Sequence, residues 1–267
     1  MSKKRTDIAI RTEEIQLNHM LSVIPSDWKM TAITENDIAV VLNKISKRET
    51  ARGFISCATV NRYRSRLLAI FNHAVREGLL IKNPVKSYRK AKELPRKRVL
   101  SDNEFQSFLR VCKASRNSEL CDIMVIAYYT GMRLGEVKGL LISNIDIEQN
   151  MILLGEWQTK AERARFIPIH PLIKGILKKR IQSALENGRE KLFISRSIRT
   201  AAEKAIKRAG LKNFTFRDLR RTFATRLKDT NANVHIISKL LGHSSITMTE
   251  KYLGISLKAL EEAVLRL

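Results

Sequence analysis

The chain has 267 residues, which is enough for one large or two modest domains with buried cores. Its 50 Lys and Arg residues outnumber its 26 Asp and Glu residues, which gives a formal net charge of +24. Residues 1–98 carry 21 basic and 9 acidic residues, and residues 99–267 carry 29 and 17, so the excess is spread along the whole chain. A partner with a long array of negative charge fits this distribution best, and duplex DNA is such a partner.

The composition also excludes several classes of protein. No run approaches 18 apolar residues and no signal peptide opens the chain, so we expect no membrane partner and a cytoplasmic location. The three cysteines lack metal-ligand spacing, and no two of the five histidines stand four residues apart, so we expect neither a metal nor a cofactor. The alternative that the basic residues merely keep the surface soluble remains open.

Three helices are predicted in the first third of the chain. Apolar residues spaced along 7–22 indicate a helix, and Thr34 with Asp37 forms a capping box before a second one. The third helix begins near Ser56 and ends at Gly78. Its polar faces carry three arginines that either form a solvated surface or contact phosphates, namely Arg62, Arg64 and Arg66.

Residues 89–99 are predicted to form a basic linker between two domains. The prolines Pro84 and Pro95 bracket a run of basic residues that cannot bury a core and that suits contact with a phosphate backbone. The last members of this run are Arg96, Lys97 and Arg98. The linker separates a helical domain at residues 1–88 from a second domain at residues 100–267.

The second domain is predicted to be mostly α-helical with a small β-hairpin, so the fold class is α+β. Ser101 and Glu104 cap its first helix. A strongly apolar segment that ends at Gly131 indicates a buried helix. Periodicity then predicts, in chain order, helix 120–130, strand 145–154, strand 163–169, helix 171–186 and helix 198–210.

The segment 214–252 carries most of the side chains that suggest chemistry. Arg217 and Arg220 are three residues apart, so on a helix they share a face and both guanidinium groups can address one anion. A planar guanidinium matches two phosphate oxygens. His243 follows an apolar helix end stopped by glycine, and Tyr252 lies nine residues further on. The set supplies phosphate-binding cations, a titratable ring and a phenol that can attack phosphorus.

Three motifs in this order resemble those of the tyrosine recombinase (phage integrase) family. Residues 130–136, Thr-Gly-Met-Arg-Leu-Gly-Glu, resemble the first catalytic box and place Arg133 at the family's first arginine. Lys160, ahead of a predicted strand, is similar to the family's hairpin lysine. The segment 214–252 resembles the second box, whose matching residues are Arg220, His243 and Tyr252.

The resemblance implies a site-specific recombinase that cuts and rejoins duplex DNA through a 3′-phosphotyrosyl intermediate, in DNA integration, excision, inversion or resolution. It implies Tyr252 as nucleophile within a catalytic set of Arg133, Lys160, Arg217, Arg220, His243 and Tyr252. Glu136, three residues after Arg133, could support the site by fixing that arginine or a neighbour, although such a pair is only a surface salt bridge in most proteins. The resemblance also implies a core-type DNA-binding domain at residues 1–88, a catalytic domain at residues 100–267, and a homotetramer acting on two DNA sites.

One position departs from the family pattern, because Arg217 stands where the family usually has histidine. A guanidinium keeps its charge and cannot act as a general base, but it can supply fixed positive charge to a phosphate and could pair with Glu136. After Tyr252 a helix of roughly ten residues is predicted, docked either on its own subunit or on a neighbour.

Three alternatives remain open at this point. The chain could be a catalytically weakened or inactive DNA-binding relative of the family, or a basic helical DNA-binding protein without chemistry. It could also resemble a type IB topoisomerase, which nicks and reseals a single duplex. Strand exchange between two duplexes separates a recombinase from the last of these.

Overall fold

The computed structural model describes residues 7–50, 53–93, 97–155, 164–196 and 198–243. The chain divides into two compact units, Met1–Pro95 and Arg96–Leu267. Most of the described residues are helical and the sheets are small, so the predicted α+β class is confirmed. Within the described part, no helix is both long enough and apolar enough to cross a membrane.

The first unit is built from helices α1 (Asp7–Leu21), α2 (Glu35–Ser46) and α3 (Cys57–Arg76), with a short hairpin of β1 (Glu49–Thr50) and β2 (Gly53–Phe54). The predicted capping box is present, since the backbone N–H of Asp37 donates to Thr34 Oγ1 and that of Thr34 donates to Asp37 Oδ2. The three helices bury an apolar core that includes Met20, Leu42, Ile45, Leu67 and Phe71. The predicted helices of this unit are therefore confirmed.

Two buried asparagines bind the chain that follows α3 back onto that helix. Asn83 Nδ2 donates to the carbonyl of Leu68 at 3.0 Å, and the N–H of Val85 donates to Asn83 Oδ1 at 2.8 Å. Asn61 donates to the carbonyl of Ala91 at 2.9 Å and accepts from its N–H at 3.0 Å. The start of the predicted linker is thus hydrogen-bonded to the first unit.

The second unit is organised around one buried helix, α5 (Leu120–Thr130). Among the described helices it packs most closely against five, as its apolar residues on all sides predict. Those others are α4 (Asp102–Lys113), α6 (Leu134–Lys138), α7 (Pro171–Glu186), α8 (Ile198–Arg208) and α9 (Phe216–Asp229). A further helix, α10 (Val234–Leu241), packs against α9. The predicted helices of this unit are confirmed.

A three-stranded antiparallel sheet flanks these helices, with β4 (Met151–Leu154) between β3 (Ile145–Asp146) and β5 (Arg165–Pro168). The prediction of one strand over residues 145–154 is wrong, because the chain turns between β3 and β4. Asn150 takes a left-handed φ of 53° in that turn. The turn residues Glu148, Gln149 and Asn150 are polar, so the sequence did mark the break that the single predicted strand overlooked.

The close approach of α9 to the end of α5 generates a test of packing. Gly131 has a φ of 63°, and a Cβ there would lie 2.4 Å from Phe223 Cδ1. Gly131→Ala is therefore expected to destabilise the second unit by about 2 kcal/mol or more, from the left-handed backbone and the overlap together. Native-state hydrogen exchange of the α5 amides measures this loss.

The matched control is Gly175→Ala in the middle of α7, where an added Cβ meets no atom within 4 Å. That substitution is expected to stabilise the same unit by roughly 0.5–1 kcal/mol, because alanine loses less backbone entropy than glycine in a helix. Equal effects of the two changes would show that the approach of Phe223 to Gly131 does not constrain the packing.

Candidate active site

The guanidinium of Arg220 joins two chain turns that are far apart in sequence. Arg220 lies on α9 and is only 3% exposed. Its Nη1 donates to the carbonyl of Gly131 at 2.9 Å, and its Nη2 donates to the carbonyl of Leu241. Gly131 stands two residues before Arg133, and Leu241 stands two residues before His243. One buried side chain thus positions the backbone on either side of the site.

Both of these turns are helix C-termini that end in a left-handed glycine. Gly131 caps α5, and Gly242 caps α10 with a φ of 62°. At the end of α10 the N–H of Gly242 donates to Lys239 and that of His243 donates to Ser238, a Schellman arrangement. The last carbonyls of a helix carry partial negative charge, which favours a cation beside them.

Arg133 stands at the N-terminus of the short helix α6 and binds the carboxylate of Glu136 in that helix. Its backbone N–H donates to Glu136 Oε2 at 2.8 Å, and its Nη1 donates to Glu136 Oε1 at 2.7 Å. The carboxylate is buried, with 4% of the Glu136 side chain exposed, whereas 33% of the Arg133 side chain is exposed. Glu136 therefore holds both the backbone and one guanidinium nitrogen of Arg133, while a third of the Arg133 side chain stays exposed to solvent.

A second arginine, Arg165 on β5, binds the same carboxylate from the other side. Its Nη2 donates to Glu136 Oε2 at 2.6 Å, and its Nε donates to the carbonyl of Leu240 at 3.0 Å. The sequence pattern predicts a strand at this position and gives Arg165 no part in the site. The signal was available, because an arginine at an inward position of an otherwise apolar strand requires a buried partner.

His243 lies among three of these cations. Burial is the largest cause that lowers the pKa of its imidazole, and the charges of Arg220, Arg133 and Arg165 lower it further, to about 4. The imidazole is therefore neutral at pH 7. A neutral imidazole has one N–H donor and one acceptor nitrogen.

Arg217 differs from Arg220 although both lie on α9. Arg217 is exposed, whereas Arg220 is buried. The ion pair suggested between Arg217 and Glu136 is not formed, since the Glu136 carboxylate binds Arg133 and Arg165 instead. Arg217 adds positive charge to the surface of α9.

Several residues singled out in the sequence lie outside the described residues, namely Lys160, Tyr252, Arg96 and the segment after Tyr252. In the described part of the chain, no three His, Cys, Asp or Glu side chains are grouped as a metal site requires.

The remaining basic residues singled out as DNA contacts have varied surroundings. Arg64 Nε donates to the carbonyl of Tyr88 at 2.6 Å, and Arg66 Nη1 lies 3.5 Å from Glu13 Oε1. Arg98 forms an ion pair with Glu104. By contrast, Arg62 and Lys97 are exposed.

Known proteins resemble this chain in sequence along most of its length. The Phage integrase family model matches residues 98–257, more than half of the chain. Tyrosine recombinase XerC of Corynebacterium efficiens is 26% identical over 97% of this chain and 84% of its own length. The tyrosine recombinase of Thermosipho africanus is 25% identical over 88% of this chain and 85% of its own length.

Solved structures agree in fold. The Tn1549 transposon integrase in complex with a circular intermediate DNA gives a TM-score of 0.82 at 19% identity, over 99% of this chain and 95% of that one. A lambda integrase dimer bound to a core site gives a TM-score of 0.77 at 24% identity, over 94% of this chain and 90% of that one. The family match, the sequence relatives and the fold agree, and the chain belongs to the phage integrase family of tyrosine recombinases.

Proposed function

We propose that the chain is a site-specific recombinase that cuts and rejoins duplex DNA with Tyr252 as its nucleophile. The observation that carries this proposal is the double hydrogen bond from Arg220 to the carbonyls of Gly131 and Leu241. It brings the chain around Arg133 and the chain around His243 to one buried cation. A phosphate-binding site is thereby assembled from residues that are more than 100 positions apart in the sequence.

The arrangement suits a phosphodiester that gains negative charge as it reacts. Arg133 is held by Glu136 through its backbone N–H and its Nη1, and a third of its side chain is exposed, so its guanidinium can meet a phosphate arriving from solvent. The buried guanidinium of Arg220 supplies a second positive charge, and the exposed guanidinium of Arg217 supplies a third. Preorganised cations stabilise the equatorial oxygens of a pentacoordinate transition state more than they stabilise the ground state.

The proposed reaction consists of one displacement and its reverse. The phenol oxygen of Tyr252 bonds to phosphorus, the bond from phosphorus to the 5′-oxygen breaks, and Lys160 gives a proton to the leaving oxygen. The phenolic proton of Tyr252 passes to water as the new bond forms. His243 donates its N–H to a phosphate oxygen. The phosphotyrosyl bond conserves the energy of the phosphodiester, so a 5′-hydroxyl from a second duplex can reverse the step without ATP.

We extend the proposal to the parts of the chain and to its assembly. Residues 1–88 would bind the core site, residues 89–99 would follow the phosphate backbone, and residues 100–267 would carry out the chemistry. The net charge of +24 supports duplex DNA as the partner, as do the DNA complexes of the fold relatives. Four copies acting on two duplexes would permit strand exchange, and the substrate implies a cytoplasmic enzyme.

The first test is covalent trapping on a nicked DNA site selected from a random pool. Wild type is expected to give a shifted band on a denaturing gel, and Tyr252→Phe is expected to give none, because phenylalanine lacks the attacking oxygen. The released strand should be a substrate for polynucleotide kinase, because cleavage with a 3′-phosphotyrosyl bond leaves a 5′-hydroxyl.

Tyr129→Phe is the control for this test. Tyr129 lies on α5 with its ring stacked on His170, and phenylalanine keeps that ring. The variant should trap DNA as wild type does. Tight DNA binding without any covalent band in wild type would contradict the proposed chemistry. Relaxation of supercoiled DNA without exchange between two duplexes would contradict recombination.

The pKa of His243 gives a second prediction. Its folded value of about 4 lies below the usual 6.5, so unfolding lets the imidazole take up a proton that the folded site refuses. This contribution to stability is complete above pH 6.5 and is lost as the pH falls through about 4. His243→Gln should therefore make stability less dependent on pH in this window, measured by urea denaturation.

Nuclear magnetic resonance can follow the same proton directly. The His243 resonance, identified by its absence in His243→Gln, should titrate near pH 4 in the free protein. Vanadate should raise the midpoint, because an anion beside the ring offsets the three cations. A midpoint near 6.5 without vanadate would show that the cations do not act on this ring.

The replacement of histidine by Arg217 gives a third prediction. If its fixed charge serves the phosphate, Arg217→Gln should slow covalent cleavage by roughly tenfold to a hundredfold, and Arg217→Lys should lose less. Single-turnover cleavage of the nicked substrate measures both. An Arg217→His variant that cleaves more than about a hundredfold faster than wild type would indicate a decayed site instead.

A further inference from the structure

We propose that Arg165 is a positioning residue of the candidate active site. It holds Arg133 and the turn before His243 in a fixed relation. This inference rests on the proposed function, because it concerns the same site. The sequence pattern assigns Arg165 no role of its own in the site, and the residue lies on the sheet rather than on the helices that carry Arg133 and Arg220.

Arg165 is a charged residue at a buried position among apolar neighbours. Its partner in the sheet ladder is Leu154, and it lies on the same inward face of β5 as Ile167. Both neighbours are buried and apolar. A charged side chain among them is costly unless its charge and its N–H groups are satisfied. Arg165 meets this requirement through two partners that belong to different parts of the site.

The first partner is the carboxylate of Glu136. Arg165 Nη2 donates to Oε2 at 2.6 Å and Nη1 approaches Oε1 at 3.4 Å, a two-point contact that fixes the plane of the carboxylate. The same two oxygens accept from the backbone N–H and the Nη1 of Arg133. The orientation of the carboxylate therefore sets the orientation of Arg133, and Arg165 sets that of the carboxylate.

The second partner is the C-terminal end of α10. Arg165 Nε donates to the carbonyl of Leu240 at 3.0 Å. A Cβ on Gly242 would lie 2.9 Å from Arg165 Cδ and 3.0 Å from its Nη1, so the turn rests directly on the arginine side chain. His243 follows immediately. Arg165 therefore also holds the chain that leads into His243.

The contacts also show why Arg165 acts through other residues. Only 6% of its side chain is exposed, compared with 33% for Arg133. Its Nε and both of its terminal nitrogens contact Leu240 or Glu136. A phosphate would meet Arg133 from solvent, whereas it would have to displace a buried carboxylate to meet Arg165. Arg165 is thus expected to affect the rate of the chemical step and not the capture of DNA.

The test replaces Arg165 with a residue of the same charge. Arg165→Lys keeps the cation, but an ammonium cannot bind two carboxylate oxygens in a plane and reach Leu240 as well. We expect single-turnover phosphotyrosyl formation at saturating DNA to slow by roughly tenfold to a hundredfold, as small displacements of catalytic groups do. The Kd for the same DNA should change by less than about threefold, because the charge is retained.

Arg180→Lys is the matched control. Arg180 Nε donates to Asp122 Oδ2 at 2.6 Å and its Nη2 donates to the carbonyl of Ser118 at 2.7 Å, so it also joins a carboxylate to a backbone carbonyl in this unit. It contacts none of the site residues described above. Arg180→Lys should cleave at the wild-type rate. Thermal midpoints of both variants show whether they lose similar stability, so that a difference in rate reports position and not folding.

A second variant covers the case in which Arg165→Lys fails to fold. Arg165→Met with Glu136→Gln removes the cation and its buried counter-charge together, which replaces the ion pair by groups that tolerate burial better. It should fold and cleave slowly. Cleavage at the wild-type rate by either folded variant would overturn the proposal, and so would a loss confined to Kd. Absence of a covalent product from wild type would instead overturn the proposed function.

Discussion

The site depends on one buried cation that is held by neutral carbonyl groups. Arg220 donates to the ends of α5 and α10, where two helix termini turn their last carbonyls toward it. The negative ends of two helix dipoles thus lie beside a guanidinium, an arrangement that favours a cation at this position. The same bonds fix the turns that lead to Arg133 and His243.

A different arrangement holds the other two cations of the centre. Glu136 is a single negative charge between Arg133 and Arg165, so the three groups together keep a net positive charge. The buried Arg165 orients the carboxylate of Glu136, and that carboxylate orients the partly exposed Arg133. With His243 neutral, the centre presents positive charge from guanidinium groups alone, and none of these changes its protonation state near pH 7.

The sequence was sufficient for the parts of this design that are local. Capping boxes at Thr34 and Ser101 and the glycine stop at Gly131 depend on neighbouring residues, so pattern alone located them. The spacing of Arg133, Arg220 and His243 likewise carried the family resemblance. The role of Arg165 depends on a carboxylate 29 positions away and a carbonyl 75 positions away, which no local pattern encodes. The turn at Asn150 is a different case, because the polar run Glu148, Gln149 and Asn150 is a local signal that the prediction of one strand overlooked.

The burial of Arg165 and Arg220 has a consequence for ionic strength. Mobile ions screen charges at a surface within about 8–10 Å at ordinary salt, but they act much less on groups enclosed by protein. Salt should therefore weaken the contacts of exposed basic residues such as Arg62 and Lys97 with a polyanion, while the inner hydrogen bonds keep their geometry. The fraction of molecules that hold DNA would then fall with salt, and each complex that remains would react with an unaltered centre.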